Sequence, residues 1–288
     1  KIKDLMLPVI FGSSVTQVNL IFDTIIASFL ITGSIGWLYM SDRFIELPLA
    51  LFGISVATVL LPKLSEYYNT KDNKSYNATI NWGLKLGILI SFPTSIGLIL
   101  LAEPILITLL QYREFSINDV NMTSLSLIAF ALGLPGMIGA KILITNYYSR
   151  KNTKYPVRAA VIAVISNFIL NILFVLYLLN TEFKGAHVGL ALATSISAYI
   201  NFILLLKTAL KTKILLIDSN IIKILLKSII SSIFMGLSIL YFNLNLEVWL
   251  NLDLFHRVTN LFMIIISASL VYFIFLYMFK ITPGKLKN

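Results

Sequence analysis

Residues 261–279 read LFMIIISASLVYFIFLYMF, and this stretch sets the fold class. It carries no charge, no glycine and no proline, and polar and apolar residues do not alternate along it. A strand of a membrane barrel takes about ten residues of alternating polarity. A helix crossing a bilayer takes about 20 apolar residues, which this run supplies. Ile88–Leu101 has the same non-alternating character. Working outward, eight apolar stretches reach spanning length, at 5–31, 35–61, 81–102, 118–146, 156–179, 187–206, 221–242 and 257–279. The second and fourth are interrupted by polar groups but still long enough to cross with tilt. The expected fold is an all-α membrane protein of eight transmembrane helices.

Composition agrees. Hydrophobic residues make up 58% and charged residues only 12%, against about 25% charged in soluble domains. Without cysteine, disulfide frameworks, thiolate metal sites and cysteine nucleophiles are excluded. There is no glycine-rich phosphate loop, paired-histidine zinc spacing or nucleophile elbow. The chain begins at Lys1 and shows no signal peptide, so it reads as a fragment.

The charge pattern tests the helix count. With a cytoplasmic N-terminus, 18 of the 23 Lys and Arg, Lys85 among them, fall in cytoplasmic segments. Three (Arg113, Lys184 and Arg257) fall outside, and Arg43 and Lys141 lie within spans. Such a split follows the positive-inside rule and places both ends in the cytoplasm. The net charge of +10 is then a topology signal with some attraction to anionic lipid, and it requires no nucleic acid. Loops are short. The largest, at 62–80, 103–117, 207–220 and 243–256, cannot hold a folded catalytic domain. The polar 62–80 stretch reads as an interfacial helix plus a loop. The break near 207–220 divides six helices (1–214) from a final pair (215–288).

Ionisable residues inside spans mark function by default. Asp42, Arg43 and Glu46 lie together in the second helix at i,i+3 and i,i+4 spacings. A guanidinium there binds phosphate through two parallel hydrogen bonds. The same trio also suits an ion cluster locking two helices together. Pro48 and Gly53 follow and are expected to bend this helix. In the first helix Thr16, Asn19 and Asp23 form a polar stripe. Asn167 and Asn171 in the fifth helix, and Thr194 and Asn201 in the sixth, repeat the pattern. These hard oxygens suit Na⁺, and equally suit ordinary interhelical hydrogen bonding. Lys141, in the fourth helix, either lines a cavity or snorkels to the interface. His187 and His256 sit at external helix ends with no second metal ligand. Trp37, Trp82 and Trp249 fall near helix ends, as an aromatic belt predicts.

Three stretches carry a family likeness: SFLITGSIGWLYMSDRFIELPLALFGISVATVLLPKLS (28–65), LLQYREFS (109–116) and LGLPGMIGAKILITNYYSRKNTKYPV (132–157). They resemble the MurJ/MviN family of lipid II flippases, most closely around the core Asp-Arg-x-x-Glu-x-Pro. The likeness corresponds to the part of a 14-helix protein from its seventh helix onward. It implies one six-helix lobe of a two-lobe transporter of the multidrug/oligosaccharidyl-lipid/polysaccharide exporter superfamily, plus two C-terminal helices that form a lipid-tail groove. The other partner of the cavity is the N-terminal lobe. The implied cargo is lipid II, the undecaprenyl-pyrophosphate-linked peptidoglycan precursor. It would be moved across the bacterial cytoplasmic (inner) membrane by alternating access, with surrounding membrane lipids as contacts and no enzymatic step. Arg43 is implied to bind the diphosphate, with Asp42, Glu46 and Lys141 beside it. Some members hold Na⁺ between the seventh, eleventh and twelfth helices, where Asp23, Asn167, Asn171 and Thr194 fall. At the Asn171 position some members carry a carboxylate. Other readings are a different lipid-linked oligosaccharide or drug as cargo, an intramembrane polyprenyl-phosphate enzyme, or a non-transporting scaffold.

Overall fold

The computed structural model describes residues 17–282 apart from Glu182 and Leu244. Within them the elements are α1 (17–28), α2 (Ser34–Pro48), a π-helical turn (Leu49–Ile54), α3 (Ser55–Asn69), α4 (Asn73–Leu100) and α5 (Ala102–Leu109). There follow α6 (Ile117–Tyr148), α7 (Lys154–Leu179), α8 (Val188–Lys211), α9 (Asn220–Phe242), α10 (Leu246–Asn251) and α11 (Leu254–Met278). Seven helical runs are long and apolar enough to cross a membrane, with Ser34–Asn69 counted as one. Helix α1 matches the end of the first expected span, whose residues 5–16 lie outside the described residues, as does Thr16.

The stretch at 62–80 differs from expectation. Helix α3 runs on to Asn69, and α4 begins at Asn73, leaving only a short turn. Asp72 caps α4 by accepting from the Ser75 N–H at 3.0 Å, so the polar residues after it continue the helix rather than a loop. Likewise 103–117 contains α5 and 243–256 contains α10.

Two helix-interior prolines explain how the bundle is pinned. Proline has no N–H, so the carbonyl four residues earlier loses its donor. Pro93 in α4 frees Leu89 O, which accepts from the Tyr272 hydroxyl of α11 at 2.6 Å. Pro135 in α6 frees Ala131 O, which accepts from Ser95 Oγ of α4 at 2.6 Å. Each freed carbonyl is thus satisfied by a neighbouring helix, as the bilayer interior requires. Ser228 of α9 joins the first contact, with its Oγ 3.1 Å from the Tyr272 hydroxyl. Tyr272→Phe is therefore expected to orphan Leu89 O and cost about 2 kcal/mol. A thermal melt of the full-length protein in detergent measures it, and an unchanged Tm would refute this account of the α4–α11 contact.

Pro48 is followed by the π turn, after which Ser55 N–H bonds Ala50 O, five residues back. The expected bend at Pro48 and Gly53 is thus a change of helical register within one continuous run.

Helix α6 runs through the centre, with Leu127, Leu134, Ile138, Ile142 and Leu143 in the core. Gly133 lets α8 approach closely: a Cβ there would lie 2.6 Å from Ser195 Cα, so this small-residue contact tolerates no larger side chain. Ile224 and Ile239 of α9 and Ile264 and Ala268 of α11 join the same core.

The 214–218 linker before α9 is tied down by side chains. Asn81 Nδ2 donates to Leu216 O, Asp218 N–H donates to Asn81 Oδ1, and Arg150 Nη2 donates to Ile214 O, at 2.7, 2.9 and 3.0 Å. Lys85, 3% exposed within α4, places Nζ 2.6 Å from Asp218 Oδ2. The hydrogen bond from Lys85, with the backbone N–H of Asn220, holds the Asp218 carboxyl below its usual range. The lysine counted among the cytoplasmic segments is thus buried and paired.

Candidate functional site

Asp23, Asn171, Asn167 and Thr194 form one hydrogen-bonded string across α1, α7 and α8. Asn171 Nδ2 donates to Asp23 Oδ1 at 2.6 Å and to Asn167 Oδ1 at 2.9 Å. Asn167 Nδ2 donates to Thr194 Oγ1 at 3.1 Å, and Asn19 Nδ2 to Asp23 Oδ2 at 3.1 Å. Asn167 and Asn171 are fully buried because they lie one turn apart on the face of α7 that meets its neighbours. Asn171 Oδ1 is buried with no hydrogen-bond partner among the described residues. A buried acceptor beside a carboxylate is a place where a cation is favoured over a neutral group.

The α2 trio divides. Arg43 pairs with Glu46, one turn along the same helix, and stacks over Tyr39 with its guanidinium carbon 4.7 Å from the ring centroid. The Arg43 and Glu46 side chains are 53% and 52% exposed, so this charged face is open. Asp42 instead is half-buried and makes no side-chain hydrogen bond or ion pair among the described residues. Among the described residues the ion pair of this trio is Arg43 with Glu46, both on α2, and it ties no second helix. Tyr39 is an addition that spacing from Arg43 (i,i−4) would have shown.

Lys141 is exposed into a cavity of about 750 Å³ between α3, α6, α7 and α8, lined also by Gln17, Thr58, Thr145, Tyr148 and Asn201. Neither Arg43, Asp42 nor Glu46 lines this cavity. Of the four residues expected to bind the cargo, Lys141 lines this cavity and the other three lie together on α2.

His187 lies at the N-terminal end of α8 and His256 in the first turn of α11, at helix ends as expected, while two tryptophans depart from expectation. His187 is fully buried, donates from Nε2 to Met122 O at 3.0 Å, and packs beside Trp37 with ring centroids 5.0 Å apart. Trp37 is itself buried and donates to Asp119 Oδ1 at 2.7 Å, while Trp249 is buried and donates to Asn243 Oδ1 at 3.0 Å. Trp37 and Trp249 pin helix ends from within rather than forming an aromatic belt. Gly33, at φ +102°, turns the chain over the Trp37 ring, a conformation open to glycine without strain.

The fold and these sites define a multi-pass helical membrane protein that holds ionisable and amide side chains inside an apolar bundle. The profile of the lipid II flippase MurJ family matches residues 1–278, and the chain belongs to that family. It is 39% identical over 278 residues to the probable lipid II flippase MurJ of Haemophilus influenzae, covering 94% of this chain and 53% of that protein. It is 46% identical over 205 residues to the probable lipid II flippase MurJ of Vibrio cholerae, covering 71% of this chain and 38% of that protein. A solved structure of lipid II flippase MurJ in an inward closed conformation superposes with a TM-score of 0.77 at 32% identity, covering 96% of this chain and 54% of that one. The chain spans about half the length of these relatives, or less.

Proposed function

We propose that this chain forms one lobe, and the two helices after it, of a flippase that carries lipid II across the bacterial cytoplasmic membrane by alternating access. The lobe is residues 1–214, and residues 215–288 supply the groove for the lipid tail. The observation that carries the reading is the open face of α2. A guanidinium stands half-exposed on an apolar spanning helix, and among the described residues its ion pair and its aromatic partner come from its own helix. A charge inside a membrane span is costly; Glu46 balances it here, and the open half of the guanidinium is left for an anion from elsewhere. A diphosphate fits its paired N–H donors. Glu46 and Tyr39 hold the guanidinium between cargoes, and the N-terminal lobe closes the cavity opposite. The basic end of the bundle, with Lys71, Lys151 and Lys213, lies in the cytoplasm.

The Asp23 string is the candidate site of a coupling Na⁺. Asp23, Asn171 Oδ1, Asn167 Oδ1 and Thr194 Oγ1 are hard oxygens from three helices, a donor set that fits the ion. Bound there, Na⁺ would supply a positive charge that draws α1 onto α7 and α8.

Expression of the full-length protein in a strain depleted of its own lipid II flippase tests the proposal. Restored growth is expected. A well-inserted protein that restores none would favour another lipid-linked oligosaccharide as cargo.

A further inference from the structure

We infer that the cavity beside Lys141 is the route by which a small cation reaches Asp23 from the basic end of the bundle, and that the Lys141 charge gates it. The inference rests on the cation reading of the Asp23 string given above. A second cavity, of about 170 Å³, is lined by Asn19 and Thr194, both hydrogen-bonded into that string. It shares Met137, Ala160, Ala198 and Asn201 with the cavity that Lys141 lines. The two adjoin, and together they lead from Lys141 to the neighbours of Asp23.

The lining suits an ion. Thr194, Ser197 and Asn201 recur at i, i+3 and i+7 along α8, giving one polar stripe down the shared wall. Asn201 Oδ1 is buried with no hydrogen-bond partner among the described residues, at the point where the cavities meet. An acceptor left without a donor is stabilised by a passing cation or its water. On α1, Gln17 lines the outer cavity and Asp23 lies six residues further on, a rise of about 9 Å. The lining of the outer cavity reaches Tyr148 and Pro156, at the ends of α6 and α7 that carry the basic residues.

Lys141 is the contrary element. Among the described residues no carboxylate lines either cavity, so its ammonium stands there without a counter-charge. A lone positive charge opposes entry of a cation. An anionic group of the cargo seated on Lys141 removes that opposition. Cation and cargo occupancy then favour one another through a single side chain, and the linkage is reciprocal.

The test measures binding of radioactive sodium to the full-length protein in detergent without cargo. It compares the parent with Lys141→Gln, Lys141→Arg and Asp23→Asn. Lys141→Gln is expected to bind sodium about three- to tenfold more tightly, the effect of one charge acting over roughly 10–15 Å at an intermediate dielectric. Lys141→Arg should keep the parental affinity, and Asp23→Asn should abolish binding. An Asn201→Cys variant reports access directly: a small cationic thiol reagent should label it, and faster when Lys141→Gln is added. If Asp23→Asn abolishes binding while Lys141→Gln leaves both affinity and labelling at parental values, the gate is refuted and the cation site stands. If Asp23→Asn binds sodium as the parent does, the cation site and the gate fall together.

Discussion

Arg43→Ala in the full-length protein is expected to insert normally and to support no growth in a strain depleted of lipid II flippase. The change should leave folding almost untouched. The guanidinium is half-exposed, and among the described residues its ion pair and its aromatic partner, Glu46 and Tyr39, lie on its own helix, where exposed pairs contribute little to stability. Loss of a charge-assisted, two-pronged contact to a diphosphate should weaken cargo binding about 100-fold. Arg43→Lys should fail as well, because an ammonium presents no planar fork. Growth of the alanine variant at the parental rate would remove Arg43 from the mechanism. An unchanged Tm beside lost growth would confirm a binding role rather than a structural one.

Asp218→Asn is expected to destabilise the fold by orphaning a buried charge. Lys85 is 3% exposed, and Asp218 lies 2.6 Å from its ammonium. Orphaning a buried charge commonly costs about 3–5 kcal/mol. Asp218 keeps 21% of its side chain exposed, so solvent reduces the expected cost to about 2 kcal/mol. Adding Lys85→Met should recover much of it, because an apolar side chain of similar length needs no partner. The same pair predicts a pH dependence. The folded carboxyl of Asp218 titrates below its ordinary range, chiefly through the Lys85 hydrogen bond. Its contribution is therefore complete above the unfolded value, near pH 4, and is lost as pH falls through the lower folded value. The Tm of the parent should lose this contribution below about pH 4, and Asp218→Asn should lack that component. An Asp218→Asn protein as stable as the parent would show that water already serves Lys85.

Much of this was legible in the sequence, and what was not has identifiable causes. The spans announced themselves because apolar runs such as 261–279 have no alternative in water. Their limits were less clear because hydropathy stops where the lipid stops, whereas backbone hydrogen bonds continue. Helix α3 therefore carries on to Asn69, and α4 starts at Asn73 under the Asp72 cap. Asn167 and Asn171 showed as an i,i+4 pair. Their contact with Asp23, 148 positions away, came from the family likeness and not from spacing. The lone lysine in WGLKLGILI was visible, but its partner in the 214–218 linker was not, since nothing local links the two. The separation of Lys141 from Arg43 depends on how α2 and α6 cross. Trp37 and Trp249 were misplaced for a related reason: nearness to a helix end does not reveal which way a ring turns.

The most direct test is translocation of fluorescent lipid II by the purified full-length protein in liposomes. Movement of lipid II between leaflets, lost in Arg43→Ala at equal incorporation, is the predicted result. A correctly incorporated protein that moves no lipid II, or moves it equally well without Arg43, would contradict the proposed roles of the lobe and of its arginine.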